Sequence, residues 1–118
     1  EITWENHCTW FDKSLLNENR RILIGFNTDP GDAIGMVRFD LDTDGDSAEV
    51  SINLNPKWRG RRLSKPLLSS AIDIYSKDYV CLLDAEIKVH NIPSIKCFEH
   101  CGFTAYERDK KHLRLRRY

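Results

Sequence analysis

Residues 47–75 read SAEVSINLNPKWRGRRLSKPLLSSAIDIY, and the fold turns on how that stretch is parsed. Residues 47–54 alternate with period two. Ala48, Val50, Ile52 and Leu54 share one face, and Glu49, Ser51 and Asn53 the other, which is the pattern of a half-buried strand. From Leu63 the rhythm becomes helical: Leu67, Leu68, Ala71, Ile72 and Tyr75 recur at that spacing. Pro66 fits only a first turn, so the helix is expected over 63–77. The loop between them, Asn55–Ser64, carries Arg59, Arg61 and Arg62, with Lys65 just beyond and Gly60 free to approach a ligand closely. The helix directs free N–H groups and its positive dipole end at the same place. Loop and helix together make an anion site suited to a phosphate or pyrophosphate, against the alternative of a solvated loop with incidental charge. The Walker A pattern is absent, and one glycine is too few for a dinucleotide fingerprint.

Outward from this unit, residues 79–89 form a second strand with CLLDAEIKV at its centre. Strand, helix and strand make a parallel crossover. Upstream, RILIGFN at 21–27 and AIGMVRFDL at 33–41 are strands, and TDPGD at 28–32 and DTDGD at 42–46 are turns, giving an antiparallel meander. Residues 5–17 are expected to be helical, because Cys8, Phe11 and Leu15 follow helical spacing. Downstream, Asn91 opens a helix with Pro93 in its first turn and Gly102 after its end, and 103–108 with 112–118 make a final hairpin.

At 118 residues the chain is one domain, and 41% apolar residues suit a soluble globular protein. No run approaches the roughly 20 apolar residues of a membrane span, so no membrane partner is expected. Net charge is zero but divided. Residues 1–58 hold 11 acidic and 5 basic side chains, and residues 59–118 hold 7 and 13. Such a split marks a surface for an anionic ligand or two sheet halves leaning on each other. Cys8, Cys81, Cys97 and Cys101 form no C-x-x-C, which suggests reduced, buried thiols and a cytoplasmic setting. His90, Cys97, His100 and Cys101 lack a paired knuckle for zinc. Asp40–Gly45 fits half a calcium loop, but Ser51 stands where a bidentate Glu is needed, so an acidic hairpin turn is the better reading and no metal is expected. Arg114 and Arg116 lie on one face of the last strand, Leu113 and Leu115 on the other; without an RNA-binding aromatic signature no nucleic acid partner is expected.

The string Val50–Leu68 resembles motif A of the GNAT superfamily of acyl-CoA-dependent N-acyltransferases, whose core is [QR]-x-x-G-x-[GA] between a strand and a helix. Arg59 matches the first position. Arg62 replaces the usual glycine and Ser64 the final small residue. The string EIKVHNIPSIKCFEHCGF, 86–103, resembles the later motif of the same superfamily, roughly E-V-x-x-x-N-x-x-[AS]-x-x-x-[YF]-E-x-x-G-F. It agrees at Glu86, Asn91, Ser94, Phe98, Glu99, Gly102 and Phe103. The resemblance covers roughly residues 20–118.

It implies an α/β (α+β) fold: a mixed, mostly antiparallel twisted sheet with a central parallel βαβ crossover whose strands splay apart. It also implies that an N-terminal strand is missing and that the single domain 1–118 comes from a longer chain. The implied co-substrate is acetyl-CoA. Its pyrophosphate would lie on Arg59, Gly60, Arg61, Arg62, Leu63 and Ser64. Its pantetheine arm would lie along Ile52 and Leu54, with Asn91, Ser94 and Phe98 alongside. Glu86 aligns with a general base of the ribosomal-protein alanine acetyltransferase branch, and Glu49, on the polar face of its strand, is the rival base. Phe98 stands where many members have a tyrosine that protonates the departing thiolate, and phenylalanine cannot donate a proton. The strings TWENHCTWF and MVRFD are similar to GNAT domains of nucleotide-linked amino-sugar pathways. They imply an acceptor site with Trp4, His7 and Arg38 and an amino sugar, or alternatively a protein N-terminus, as acceptor. An acyl-CoA-binding module without catalysis is the second reading, a basic nucleic-acid adaptor the third, and an oligomer is compatible with all of them.

Overall fold

The computed structural model describes residues 8–14, 19–27, 32–60 and 62–118. In chain order these form β1 (Cys8–Ser14), β2 (Arg20–Asn27), β3 (Ala33–Leu41), β4 (Ser47–Leu54), α1 (Ser64–Asp78), β5 (Leu82–Lys88), α2 (Ile92–His100), β6 (Thr104–Arg108) and β7 (His112–Arg117). All the strands lie in one sheet, ordered β1-β2-β3-β4-β5-β7-β6. Neighbours are antiparallel except β4 and β5, which run parallel as the crossover through α1 requires.

One sheet face is the core face. Leu23, Val37, Phe39, Val50, Leu83 and Leu115 point there, and Leu67, Leu68, Ala71, Ile72 and Tyr75 of α1 cover them. Alternation leaves the opposite face to Arg38, Asp40, Glu49, Ser51, Asp84, Glu86 and Arg114. The rings of Phe39 and Tyr75 stack at 4.1 Å, and Tyr75 stacks on Tyr79 at 4.7 Å. Burial raises the Tyr75 phenol above its ordinary pKa. Gly35 is required by close approach, since a Cβ there would sit 2.7 Å from the Asn53 carbonyl and 3.0 Å from Leu67.

The expected helix over 5–17 is corrected where the chain is described: residues 8–14 are strand β1. Residues 9–13, TWFDK, show no period-two alternation, but Thr, Trp and Phe favour a pleated surface. Pairing with β2 overrides the helical spacing, aligning Trp10 with Gly25 and Phe11 with Ile24. Phe11, placed on the apolar stripe by the helical reading, is 55% exposed. The sheet thus has an edge strand on its N-terminal side, where the resemblance implied one was lacking. Arg21 ties this edge to the end of α1, reaching Asp12 and Asp78 at 2.7 Å each.

The other elements fall within two or three residues of expectation. The Asp42–Ser47 turn is a hairpin connection: Asp42 N–H donates to the Ser47 carbonyl, and Gly45 takes a positive φ of 73°. Cys97 is buried, whereas Cys81 and Cys101 are half-buried rather than fully enclosed. No helix among the described residues is long and apolar enough to cross a membrane.

Candidate active site

Strands β4 and β5 pair at only three positions: Ser47 with Leu82, Ala48 with Leu83, and Glu49 with Asp84. Beyond them the strands part. β4 continues to Leu54 with its other edge bonded to β3, while β5 continues to Lys88 with its other edge bonded to β7. The result is a wedge in the middle of the sheet, with the backbone of residues 50–54 exposed along it.

On the core face the wedge opens into a cavity of about 290 Å³. Ile52 and Leu54 line one side, Asn91, Pro93, Ser94 and Cys97 the other, and Arg59, Gly60 and Ser64 close the end. Of the expected cofactor contacts, the structure therefore brings seven together: Ile52, Leu54, Arg59, Gly60, Ser64, Asn91 and Ser94. Asn91 caps α2, its Oδ1 accepting from the Ser94 N–H at 3.3 Å, so both face the cavity because the cap fixes them. Arg61 lies outside the described residues. Leu63 is the N-cap residue of α1, where no side-chain hydrogen bond caps the helix. That leaves the first-turn N–H groups of α1 to an external acceptor.

The loop leading into α1 is shaped by two left-handed residues. Gly60 has φ 77° and Arg62 has φ 59°. A Cβ on Gly60 would meet nothing within 4 Å, so conformation rather than crowding selects glycine there. Arg62 holds the conformation natural to the glycine it replaces, a backbone cost of about 1–2 kcal/mol. Its side chain is exposed and adds a cation to the loop. Arg59 Nε donates to the Leu54 carbonyl at 3.2 Å, folding the guanidinium over the end of β4. Asn55 was not singled out from the sequence, yet it anchors the loop: its Nδ2 donates to the Ala33 carbonyl at 2.9 Å and its Oδ1 accepts from the Lys57 N–H at 3.3 Å. An Asn directly before Pro56 is the turn signal that could have flagged it.

Phe98 is placed in the core, 2% exposed, with its ring edge-on to Phe103 at 5.0 Å. It does not line the cavity. Cys97, one residue earlier, does.

On the opposite sheet face lies a second cavity of about 300 Å³, lined by Asp40, Asp42, Glu49, Asp84, Glu86 and Arg114 among others. Its carboxylates are unequal. Asp84 is held by both prongs of Arg116, at 2.8 and 3.2 Å. Asp40 meets Arg20 at 2.6 Å and Arg38 at 3.0 Å. Glu86 is held loosely, 3.6 Å from Arg114 and 3.9 Å from His112. Glu49 is exposed and has no ion-pair partner among the described residues. Glu86 also stands two residues past the last β4–β5 pairing, at the apex of the wedge, whereas Glu49 lies within the paired stretch. His112 and Arg114 were not named as site residues from the sequence; the β5–β7 register, which aligns Glu86 with Arg114 and Lys88 with His112, puts them there.

Of the expected acceptor contacts, Trp4 and His7 lie outside the described residues. Arg38 is engaged with Asp40. Among the described residues no cluster of side chains is arranged to hold a metal ion.

Known proteins resemble this arrangement. No curated protein matches the chain by sequence. Solved structures of spermidine N-acetyltransferase from Vibrio cholerae do match. The enzyme in complex with CoA and spermine superposes with a TM-score of 0.76 at 18% identity, over 86% of this chain and 66% of that one. A point mutant of it gives 0.77 at 18% identity, over 86% and 67%, and a dodecameric form in an intermediate state gives 0.74 at 18%, over 85% and 65%. The chain thus spans about two thirds of the length of these enzymes, and at that identity the likeness is one of fold. A match over residues 2–103 to the family described as the acetyltransferase (GNAT) family carries the identification further. Two sequence motifs, a half-parted parallel strand pair and a family match across most of its length lead to one conclusion: this chain belongs to the GNAT acetyltransferase family.

Proposed function

We propose that the protein transfers an acetyl group from acetyl-CoA to a small amine carrying more than one positive charge. The single observation that carries this reading is the wedge between β4 and β5, with a cationic, uncapped helix end at one mouth and an acidic cavity on the other face. The residues present fit the co-substrate. The β5-facing edge of β4 over residues 50–53, unpaired with β5, offers a strand edge to the amides of the pantetheine arm, and Arg59, Arg62 and the first turn of α1 offer donors to the pyrophosphate. When bound, acetyl-CoA supplies the electrophilic thioester.

The chain's own residues do the rest. One cavity is lined by side chains of the polar sheet face and the other by the core-face side chains Ile52 and Leu54, and on this reading the acceptor and the acyl donor approach each other through the wedge between β4 and β5. Glu86 at the apex accepts the proton of the incoming ammonium, a role that needs a carboxylate not already locked by a close cation. Glu49 and Asp42, without basic partners among the described residues, hold a second positive charge of the acceptor. Thiol acidity lets the leaving group depart without a donor at Phe98. The spermidine acetyltransferase fold neighbours act on an acceptor of this kind. An amino sugar linked to a nucleotide has no comparable support, because its diphosphate would face carboxylates and Arg38 is engaged with Asp40.

The core position of Phe98 favours one second reading, an acyl-CoA-binding module without turnover. Thiol release from acetyl-CoA decides between them, measured with spermidine, a simple monoamine and a nucleotide-linked amino sugar. The reading expects turnover with spermidine well above the monoamine and none with the sugar. Stabilisation by acetyl-CoA, about 2.7 kcal/mol at a hundredfold excess over Kd, without thiol release from any amine leaves only the binding module. No stabilisation overturns both.

A further inference from the structure

The two thiols at the end of α2 have no part in the acetyl transfer just described, yet they sit against the cofactor cavity. Cys97 and Cys101 are four residues apart, so about 6 Å of helical rise separates their Cα atoms, within the span a disulfide bridges. The Cys101 thiol donates to the Lys65 carbonyl at 3.8 Å, which ties the end of α2 to the first turn of α1. Cys97 lines the cavity from inside, while Cys101 is half-buried and reachable. Cys101 is the C-cap residue, and Gly102 beyond it has φ 93°, so the chain there is not bound to helical geometry.

We propose that Cys97 and Cys101 form a thiol–disulfide couple, oxidised by small-molecule disulfides, whose state sets the affinity of the adjoining cavity for acyl-CoA. The Cys101 sulfur attacks the small disulfide, breaking its S–S bond, and one thiolate leaves. Cys97 then attacks the Cys101 sulfur, expelling the second thiolate. The two protons lost by the cysteines go to the two released thiols, and the small disulfide takes up the two electrons. The contact with Cys97, followed by the charges of Lys65 and Arg117, lowers the Cys101 pKa and fits it to be the first nucleophile, while Cys97, raised by the same contact and by burial, resolves. Closure withdraws the Cys101 donor from the Lys65 carbonyl, and that loss falls on the helix turn beside the cavity. The effect on binding rests on the reading of the cavity as the acyl-CoA site; formation of the disulfide does not.

The test uses the chain with Cys8→Ser and Cys81→Ser, equilibrated in glutathione buffers of graded ratio and quenched by alkylation. Intact mass counts the free thiols, and calorimetry with acetyl-CoA, which carries no free thiol, reads affinity. Both thiols are expected to disappear together without a retained glutathione adduct. The acetyl-CoA Kd is expected to rise about fivefold, the worth of roughly one hydrogen bond, and to recover with dithiothreitol. Adding Cys101→Ser is expected to leave the Kd the same in oxidised and reduced buffer. A persistent adduct on one cysteine, or an internal disulfide that leaves the Kd unchanged, overturns the proposal. Reduced protein that does not bind acetyl-CoA overturns the cavity reading instead, and the mass measurement still decides whether the couple exists.

Discussion

Strand β4 meets its two neighbours on different terms. Against β3 it is aligned from Gly35–Leu54 through Leu41–Ala48, its whole length. Against β5 it is aligned only from Ser47 to Glu49. The residues are the same on both edges, so side-chain propensity does not cause the difference. What differs is the partner: β3 runs antiparallel to β4 along its whole length, whereas β5, held along its other edge by β7 from Leu83 to Lys88, diverges from β4 after Glu49–Asp84. A strand edge that is neither paired nor covered is a liability in most proteins. In the middle of a sheet, beside a cationic loop, it is, on the proposed reading, where a ligand with amides of its own would pair.

The closed and open halves of this pair are best told apart by their two glutamates. Glu86→Gln is expected to lower kcat about a hundredfold or more, the usual loss when a general base is removed, with little change in the acetyl-CoA KM. Glu49→Gln in the closed half is expected to raise the acceptor KM severalfold and leave kcat within about threefold, since its role is to attract charge. Equal losses in kcat would erase the distinction between apex and paired stretch.

The mouth of the open half gives a smaller effect. Arg59→Ala removes a guanidinium held over the end of β4 and is expected to raise the acetyl-CoA KM about tenfold, in line with one lost charge-assisted contact. Arg62→Gly trades a cation for backbone ease. Thermal unfolding is expected to show a gain of up to about 1 kcal/mol while the acetyl-CoA KM rises. A loss of stability on that substitution would mean that the left-handed turn is not strained.

The closed half is backed by the Phe39–Tyr75–Tyr79 stack, and alkaline pH probes it with the smallest effect at neutrality. The Tyr75 pKa is raised on folding by burial, so its stabilising contribution is complete below the ordinary phenol value of about 10 and is lost as pH climbs beyond it towards the raised value. Tyr75→Phe is expected to shift the alkaline fall in denaturant midpoint to higher pH, with little change at pH about 8.

Sequence periodicity was informative wherever one pattern stood alone. The alternation of residues 47–54 and the helical spacing from Leu67 to Tyr75 leave no rival, and both elements appear where expected. Residues 8–14 carry helical spacing and no strand alternation, and it is the pairing with β2, a tertiary contact, that makes them a strand. The site divides in the same way. Arg59, Gly60, Asn91 and Ser94 are readable because local chain geometry fixes their places: a loop into a helix and a helix cap. His112 and Arg114 come to Glu86 through cross-strand register, which short-range spacing does not encode. Phe98 shows the converse, a motif position whose side chain turned inward to pack on Phe103.

The final hairpin has a kinetic consequence. β7 holds the far flank of β5 from Leu83 to Lys88, so β5 keeps a partner strand on that side whether or not the wedge is filled. On the proposed reading, loading the carrier breaks none of the three β4–β5 pairs, which end at Glu49. The carrier's association rate is then expected to be set by diffusion and by the charge at the entrance, falling with ionic strength rather than saturating at the speed of a gate.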